Sequence, residues 1–368
     1  MRIAHVSDCY LPRTGGIETQ VRSLALAQRD AGYDVQIITA TPGHGQVRSG
    51  RDVVDDLPIH RIAVDLPGEI PIHPRTRAEA IRSLREDPAD VLHIHAGVIS
   101  PFAWGALRAA RELDLPTVVT VHSVWGPLAR PGFKASGALL DWRRTVMSAV
   151  SHMAAERIES ALGVDVAVLP NGIDPHVWRA ITPLGVQPGT VRPVSVLRLA
   201  PRKRVGALLR ALARAQVLLG PQIAMRPTII GDGPERSRSE RMAQRLHLDA
   251  TFTGRLSREE IMERFASSDV FVQASVRESF GIAALEARTF GLPVVARSQS
   301  GTGEFVTDDI NGFLAPDDDA LAAGLARLGG DPDLLARMAT YNRTHEPAQT
   351  WPSVLRAARE LYERAGAR

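Results

Sequence analysis

The sequence predicts an α/β protein built from two doubly wound parallel-sheet domains in tandem. Short β-rich runs alternate with longer stretches of helical period along the whole chain, the order that builds parallel sheets covered by helices on both faces. Several of these runs are near-continuous apolar segments of the kind buried in parallel sheets. At 368 residues the chain also exceeds what one hydrophobic core usually organises.

In the first half, RIAHVS, DVQIITA, DVLHIH, PTVVTVH and DVAVLP read as strands, enough for one domain. The segment Thr182 to Pro193, TPLGVQPGTVRP, concentrates proline and glycine as an interdomain linker does. PVSVLRL, RPTIIGDG, ATFTG, DVFVQAS, LPVVAR and NGFLAP then restart the pattern, with helices such as Val205 to Leu219 and Ile282 to Phe290 between them. The expected domains are 1–183 and 184–345, followed by 346–368, where WPSVLRAARELYERA reads as an amphipathic helix. Two open α/β sheets facing one another would place a cleft between the carboxyl ends of their strands, so residues just after strands deserve the closest reading.

Composition narrows the function classes. Hydrophobic residues at 44% and charged residues at 23% fit a folded enzyme. A formal charge of +3 with only 5% aromatic residues, and no basic run interleaved with aromatics, argues against a nucleic-acid platform. No apolar run reaches the roughly 18 residues of a membrane span, and RIAHVSDCYL is too short and polar for a signal-peptide core. A cytoplasmic protein is expected. Cys9 stands alone, so an internal disulfide or a cysteine metal cluster is ruled out.

Gly15 and Gly16 precede an amphipathic helix, where backbone amides and the helix dipole suit an anion, although a plain turn reads the same way. His122 ends the strand PTVVTVH and is either a cleft residue or a structural hydrogen-bonding one. His93 and His95 point to the same face of a strand, but a third ligand at a sensible spacing is missing, so no metal is expected. In VLRLAPRKRV, Arg198 and Lys203 suit a diphosphate, while neighbouring Arg202 and Arg204 leave a solvated basic loop as the alternative. GDGP at Gly231 to Pro234 is a tight turn into a helix, and FTGRLS around Gly254 and Arg255 ends a strand close to the expected cleft, where exposed backbone groups could meet a nucleotide base.

SVRESFGIAALEARTFGLPVVA is the most informative segment: Glu278 precedes a helix and Glu286 lies inside it among apolar residues. Eight residues of helix rise about 12 Å, well beyond the roughly 5 to 5.5 Å of a retaining hydrolase pair. The two glutamates are better placed to grip different parts of one elongated ligand. Asp317, Asp318 and Asp319 read as a helix start rather than a metal site. The stretch from Gly126 to Val150 mixes apolar and basic residues, as a membrane-touching segment or an ordinary surface helix does.

Taken in order, GGIE, TVH, RLAPRK, GDGPE, FTGRLS, ESFGIAALEA, GLPVVA and NGFLAP resemble family 4 of the glycosyltransferases, retaining enzymes of the GT-B fold, over nearly the whole chain. The resemblance implies that Gly15 and Gly16 contact the donor phosphate, that His122 lies beside the donor sugar and that Arg198 and Lys203 bind the diphosphate. It further implies that the backbone near Arg255 meets the base, that Glu278 holds sugar hydroxyls beside the amides of Phe280, Gly281 and Ile282, and that Glu286 holds the ribose. No cofactor or metal is implied. The implied partners are a nucleotide-sugar donor and a glycan, lipid-linked or polyol acceptor, and the C-terminal helix is expected to return to the first domain; peripheral membrane contact is the alternative that the stretch from Gly126 to Val150 leaves open. A nucleotide-sugar epimerase and a non-catalytic two-lobed sugar-binding protein are the rival readings. One departure stands out: where the family usually carries glycine, this chain has Leu197 and Arg204.

Overall fold

The computed structural model describes residues 1–13, 15–43, 48–64, 73–97, 100–124, 143–185 and 187–367. The chain divides into two compact units, Met1–Gly172 with Trp351–Arg368, and Ile173–Thr350. The division falls eleven residues before the expected 183/184 boundary, for a packing reason: Ile173 donates its amide to Gln349 O at 2.9 Å, and the Trp178 ring lies 6.0 Å from that of Phe265, deep in the second unit. The helix Trp351–Arg364 belongs to the first unit.

The first unit holds β1 (Arg2–Ser7), β2 (Asp34–Thr39), β3 (Gly50–Val54), β4 (Leu57–Arg61), β5 (Val91–Ala96), β6 (Thr117–Val121), β7 (Thr145–Ala149) and β8 (Ala167–Val168). They form one sheet in the order β3-β4-β2-β1-β5-β6-β7-β8, parallel except for the β3–β4 hairpin. Alternate residues of the parallel strands enter cores on opposite faces: Val6, Ile94 and Val119 on one, Ile3, Val91 and Val118 on the other. Three strands escaped the sequence reading. The hairpin turns on Asp55 and Asp56, both left-handed at φ 54° and 60°, a two-residue loop built without glycine. β7 lies in the stretch read as a surface helix or membrane-touching segment, and that reading is corrected for Thr145–Ala149, which pairs in parallel with β6. The part of that stretch at 126–142 lies outside the described residues.

The second unit holds β9 (Thr190–Val191), β10 (Pro193–Val196), β11 (Ala224–Met225), β12 (Thr228–Ile230), β13 (Thr251–Gly254), β14 (Val270–Gln273), β15 (Val294–Arg297) and β16 (Gly312–Ala315). Six of them make an all-parallel sheet ordered β13-β12-β10-β14-β15-β16, and β9 pairs with β11. All six strands expected from the sequence are in that sheet. The helices Val205–Leu219 and Ile282–Phe290 match the expected spans. Asp317 caps the helix Asp318–Gly330 by accepting from the Ala320 amide at 2.7 Å, which is the helix start its acidic run suggested. Among the described residues no helix is long and apolar enough to cross a membrane.

Candidate active site

In the second unit the strand order reverses between β10 and β14, and doubly wound sheets bind ligands at the carboxyl ends of the strands flanking such a reversal. The two segments leaving those ends carry the expected charges. Arg198 is exposed two residues past β10, and Lys203 closes the short 3₁₀ turn Pro201–Lys203. Lys203 Nζ pairs with the Glu278 carboxylate beyond β14, and each side chain keeps about a fifth of its surface, 21% and 17%. The Glu278 carbonyl accepts from Gly301 N at 2.8 Å, which ties this loop to the turn after β15.

Arg204, where a glycine was expected from the family, takes left-handed φ 56° as the residue before the helix Val205–Leu219. Glycine enters that conformation without the steric cost a side chain brings. Here Arg204 is held by Asp318 at 2.8 Å and the Ala274 carbonyl at 3.0 Å, and Arg297 joins the same carboxylate. Arg204 is thus tied to its neighbours, whereas Arg202 stays exposed. The role of Asp318 was invisible in sequence, because its partners lie 114 and 21 residues away.

Phe280 is buried against Phe305, and Gly281 opens the helix Ile282–Phe290 at φ 92° with no side-chain cap. A Cβ there would approach Thr302 Cγ2 to 2.8 Å. The helix therefore starts with bare amides at Gly281 and Ile282, five residues or fewer from Glu278. Glu286 sits one turn further in. Burial raises its carboxyl to about 8 against the pull of Arg258, which favours the protonated form, able to donate as well as accept, at pH 7. Arg255 is exposed immediately after β13, two strands from the reversal, and follows Gly254 at φ 79°.

The first unit has the same kind of reversal, between β1 and β5. Asp8, just past β1, accepts from the Phe102 amide at 3.1 Å, the N-terminal turn of the helix Pro101–Glu112. Burial raises this carboxyl to about 6, opposed by hydrogen bonds from Ser100, Phe102 and Ala103. Gly15 is the extended residue before the helix Gly16–Asp30, with Gly16 its first residue, and the Glu18 carboxylate lies against the Gly15 Cα.

His122 follows β6, donates its amide to Ala96 O at 2.9 Å and joins a set of buried imidazoles. His5 faces His93 across β1 and β5, and a third imidazole, from a neighbouring strand, is thus within reach of His93 and His95, contrary to the expectation from spacing. Donor nitrogens of the three lie within 4.8 Å of one another. All six ring nitrogens are already hydrogen bonded, however: His5 to His95 (2.9 Å) and Gln28 (2.6 Å), His93 to Tyr362 (2.8 Å) and Thr120 (2.7 Å), His95 also to His122 (3.0 Å). A cation would have to break these bonds. Burial lowers His5 and His122 to about 4 and His93 and His95 well below the usual imidazole value, so all four are neutral at pH 7.

Comparison with known proteins agrees with this architecture. Residues 184–345 match the family described as glycosyl transferases group 1, and residues 14–177 match glycosyltransferase family 4. The chain is 29% identical to a GDP-mannose-dependent alpha-mannosyltransferase of Mycolicibacterium smegmatis, over 96% of this chain and 95% of the relative. It is 29% identical to a phosphatidyl-myo-inositol mannosyltransferase of the same organism, over 99% of this chain and 94% of the relative. The sucrose-phosphate synthase of Thermosynechococcus elongatus superposes with a TM-score of 0.76 at 20% identity, over 98% of each chain.

Proposed function

Because this chain belongs to the group 1, family 4 glycosyltransferases and has their two Rossmann-like units of GT-B type, we propose that it moves a hexose from a nucleoside diphosphate sugar with retention of configuration and without a metal or other cofactor. The observation that carries the reading is the Lys203–Glu278 pair at the β10/β14 reversal, beside the uncapped helix at Gly281. A diphosphate placed there takes Lys203 and Arg198 as counter-charges, which releases Glu278 to accept from sugar hydroxyls. As the bond between the anomeric carbon and the phosphate oxygen breaks, the electron pair goes to the phosphate, where preorganised cations and amides stabilise it. The acceptor oxygen attacks the anomeric carbon on the same face and hands its proton to the departing phosphate. His122 orients the sugar, Arg255 and its backbone serve the base, and neutral Glu286 donates to and accepts from the ribose diol.

The names of the relatives favour GDP-mannose over a UDP-sugar as donor, and a polyol hydroxyl, free or lipid-linked, as acceptor. A lipid-linked acceptor brings with it peripheral contact with the inner membrane face, from the cytoplasmic side. Nucleic acid has no part in the reading. The test is calorimetric titration of GDP and UDP into wild type and Glu286→Ala, followed by acceptor-dependent release of GDP from GDP-mannose. Tight GDP binding lost in the variant, with an α-linked product, is expected. Turnover of the donor sugar without nucleotide release would identify an epimerase instead, and binding without turnover a sugar-binding protein.

A further inference from the structure

A set of buried polar groups in the first unit forms two hydrogen-bonded arms that meet at one amide, Gln28. One arm runs from Gln28 Nε2 to the Tyr362 hydroxyl (2.8 Å), His93 Nδ1 (2.8 Å), Thr120 Oγ1 (2.7 Å), Ser148 Oγ (2.7 Å) and the Val119 carbonyl (3.4 Å). The other runs from Gln28 Oε1 to His5 (2.6 Å), His95 (2.9 Å) and His122 (3.0 Å). The far end of the first arm is a carbonyl, which only accepts. Ser148 must therefore donate to it, Thr120 to Ser148, His93 Nε2–H to Thr120, Tyr362 O–H to His93 Nδ1, and the Gln28 NH₂ to Tyr362. With its NH₂ committed, Gln28 presents its oxygen to His5, so His5 donates from Nε2, His95 Nε2–H donates to His5 Nδ1, and His122 Nε2–H donates to His95 Nδ1.

We propose that this directional network holds His122 as the neutral Nε2–H tautomer with its acceptor lone pair on Nδ1, and that Gln28 and Tyr362 are positioning residues for it. The proposal rests on the role given to His122 above. The lowering of all four imidazoles by burial is consistent with rings that share single protons without being charged. Tyr362 lies on the helix Trp351–Arg364, so that helix sets a proton position at the end of β6 through Gln28, His5 and His95.

The test is ring-nitrogen NMR on the full chain labelled with ¹⁵N-histidine, each signal assigned by single substitution. In wild type, His122 is expected to carry its proton on Nε2; a proton on Nδ1 overturns the proposal. Tyr362→Phe removes the hydroxyl that orients Gln28. It is expected to give mixed His122 tautomers and a fall in kcat on the order of tenfold, the lower end of the scale for outer partners of metal-bound histidines, with the KM for donor little changed. Gln28→Glu offers only acceptors: His93 should switch to Nδ1–H while His122 keeps its Nε2 proton. Unchanged His93 signals there, or unchanged His122 signals and kcat in folded Tyr362→Phe, overturn the network. His122→Ala separates the two failures: normal transfer by that variant sinks the assigned role of His122, whereas an inactive His122→Ala beside a silent Tyr362→Phe sinks the network alone.

Discussion

The two units share a strand order around their reversals and differ in what stands at the helix ends beside them. In the first unit Asp8 already occupies the amides that open the helix after β5, and Glu18 lies against the glycine before the helix after β1. In the second unit the helix after β14 opens at Gly281 with no side-chain cap, and Lys203 and Arg198 stand on the neighbouring segment. A helix N-terminus attracts an anion wherever it occurs. The same strand order around the reversal thus offers two seats for negative charge, and side chains decide that one is filled from within while the other stays open to a phosphate. If Gly15 and Gly16 also touch the donor, Glu18 has to swing aside first.

The largest effect expected from breaking this difference is on turnover. Lys203→Ala and Glu278→Ala should each lower kcat by about 10²- to 10³-fold in a steady-state transfer assay; near wild-type rates in both would remove the second unit from the chemistry. Gly281→Ala forces a side chain into a left-handed turn against Thr302. A cost of about 1 to 3 kcal/mol follows, readable by urea denaturation, together with weaker GDP binding, whereas Glu18→Ala should leave GDP affinity unchanged or improved.

The pH response sharpens the same contrast because the two units keep opposite kinds of group neutral. His5 and His122 fall from 6.5 to about 4, so the stability they represent is present above 6.5 and is lost as pH falls toward 4. Glu286 rises from 4.5 to about 8, so its contribution is present below 4.5 and is lost as pH rises through 8. Denaturation midpoints measured from pH 4 to pH 9 should decline at both ends, and Glu286→Gln should flatten only the alkaline side. The smallest expected change is Arg204→Gly. Relief of a left-handed backbone, about 1 kcal/mol, offsets an exposed-to-half-buried ion pair of about 0 to 1 kcal/mol, so Tm should move by only a few degrees in thermal melts.

Much of the second unit was legible in its residues. Five of the six strands of its main sheet carry a glycine or proline at or beside an end, β14 between Asp269 and Ala274 being the exception, and the spacing of Glu278 and Glu286 placed one before a helix and one within it. The first unit was less legible. β3 and β4 are polar enough to pass for loop, and β7 hides in a mixed apolar and basic stretch.

What the sequence determined by itself was local: the alternation of strand and helix, the glycines where the chain must turn, and the charged residues that follow strands. These follow from period, backbone freedom and solvation, all of which act over a few residues. The tertiary structure alone decided which groups are partners. Nothing within thirty residues of Arg204 announces Asp318, and His5 meets His95 only because β1 and β5 are neighbours in the sheet. The same holds for Tyr362, 334 positions from Gln28, whose hydroxyl reaches the histidines because one helix folds back onto the first sheet. Burial then turned those meetings into chemistry, since removing water is what neutralises an imidazole or a carboxyl, and water is excluded only by the assembled fold.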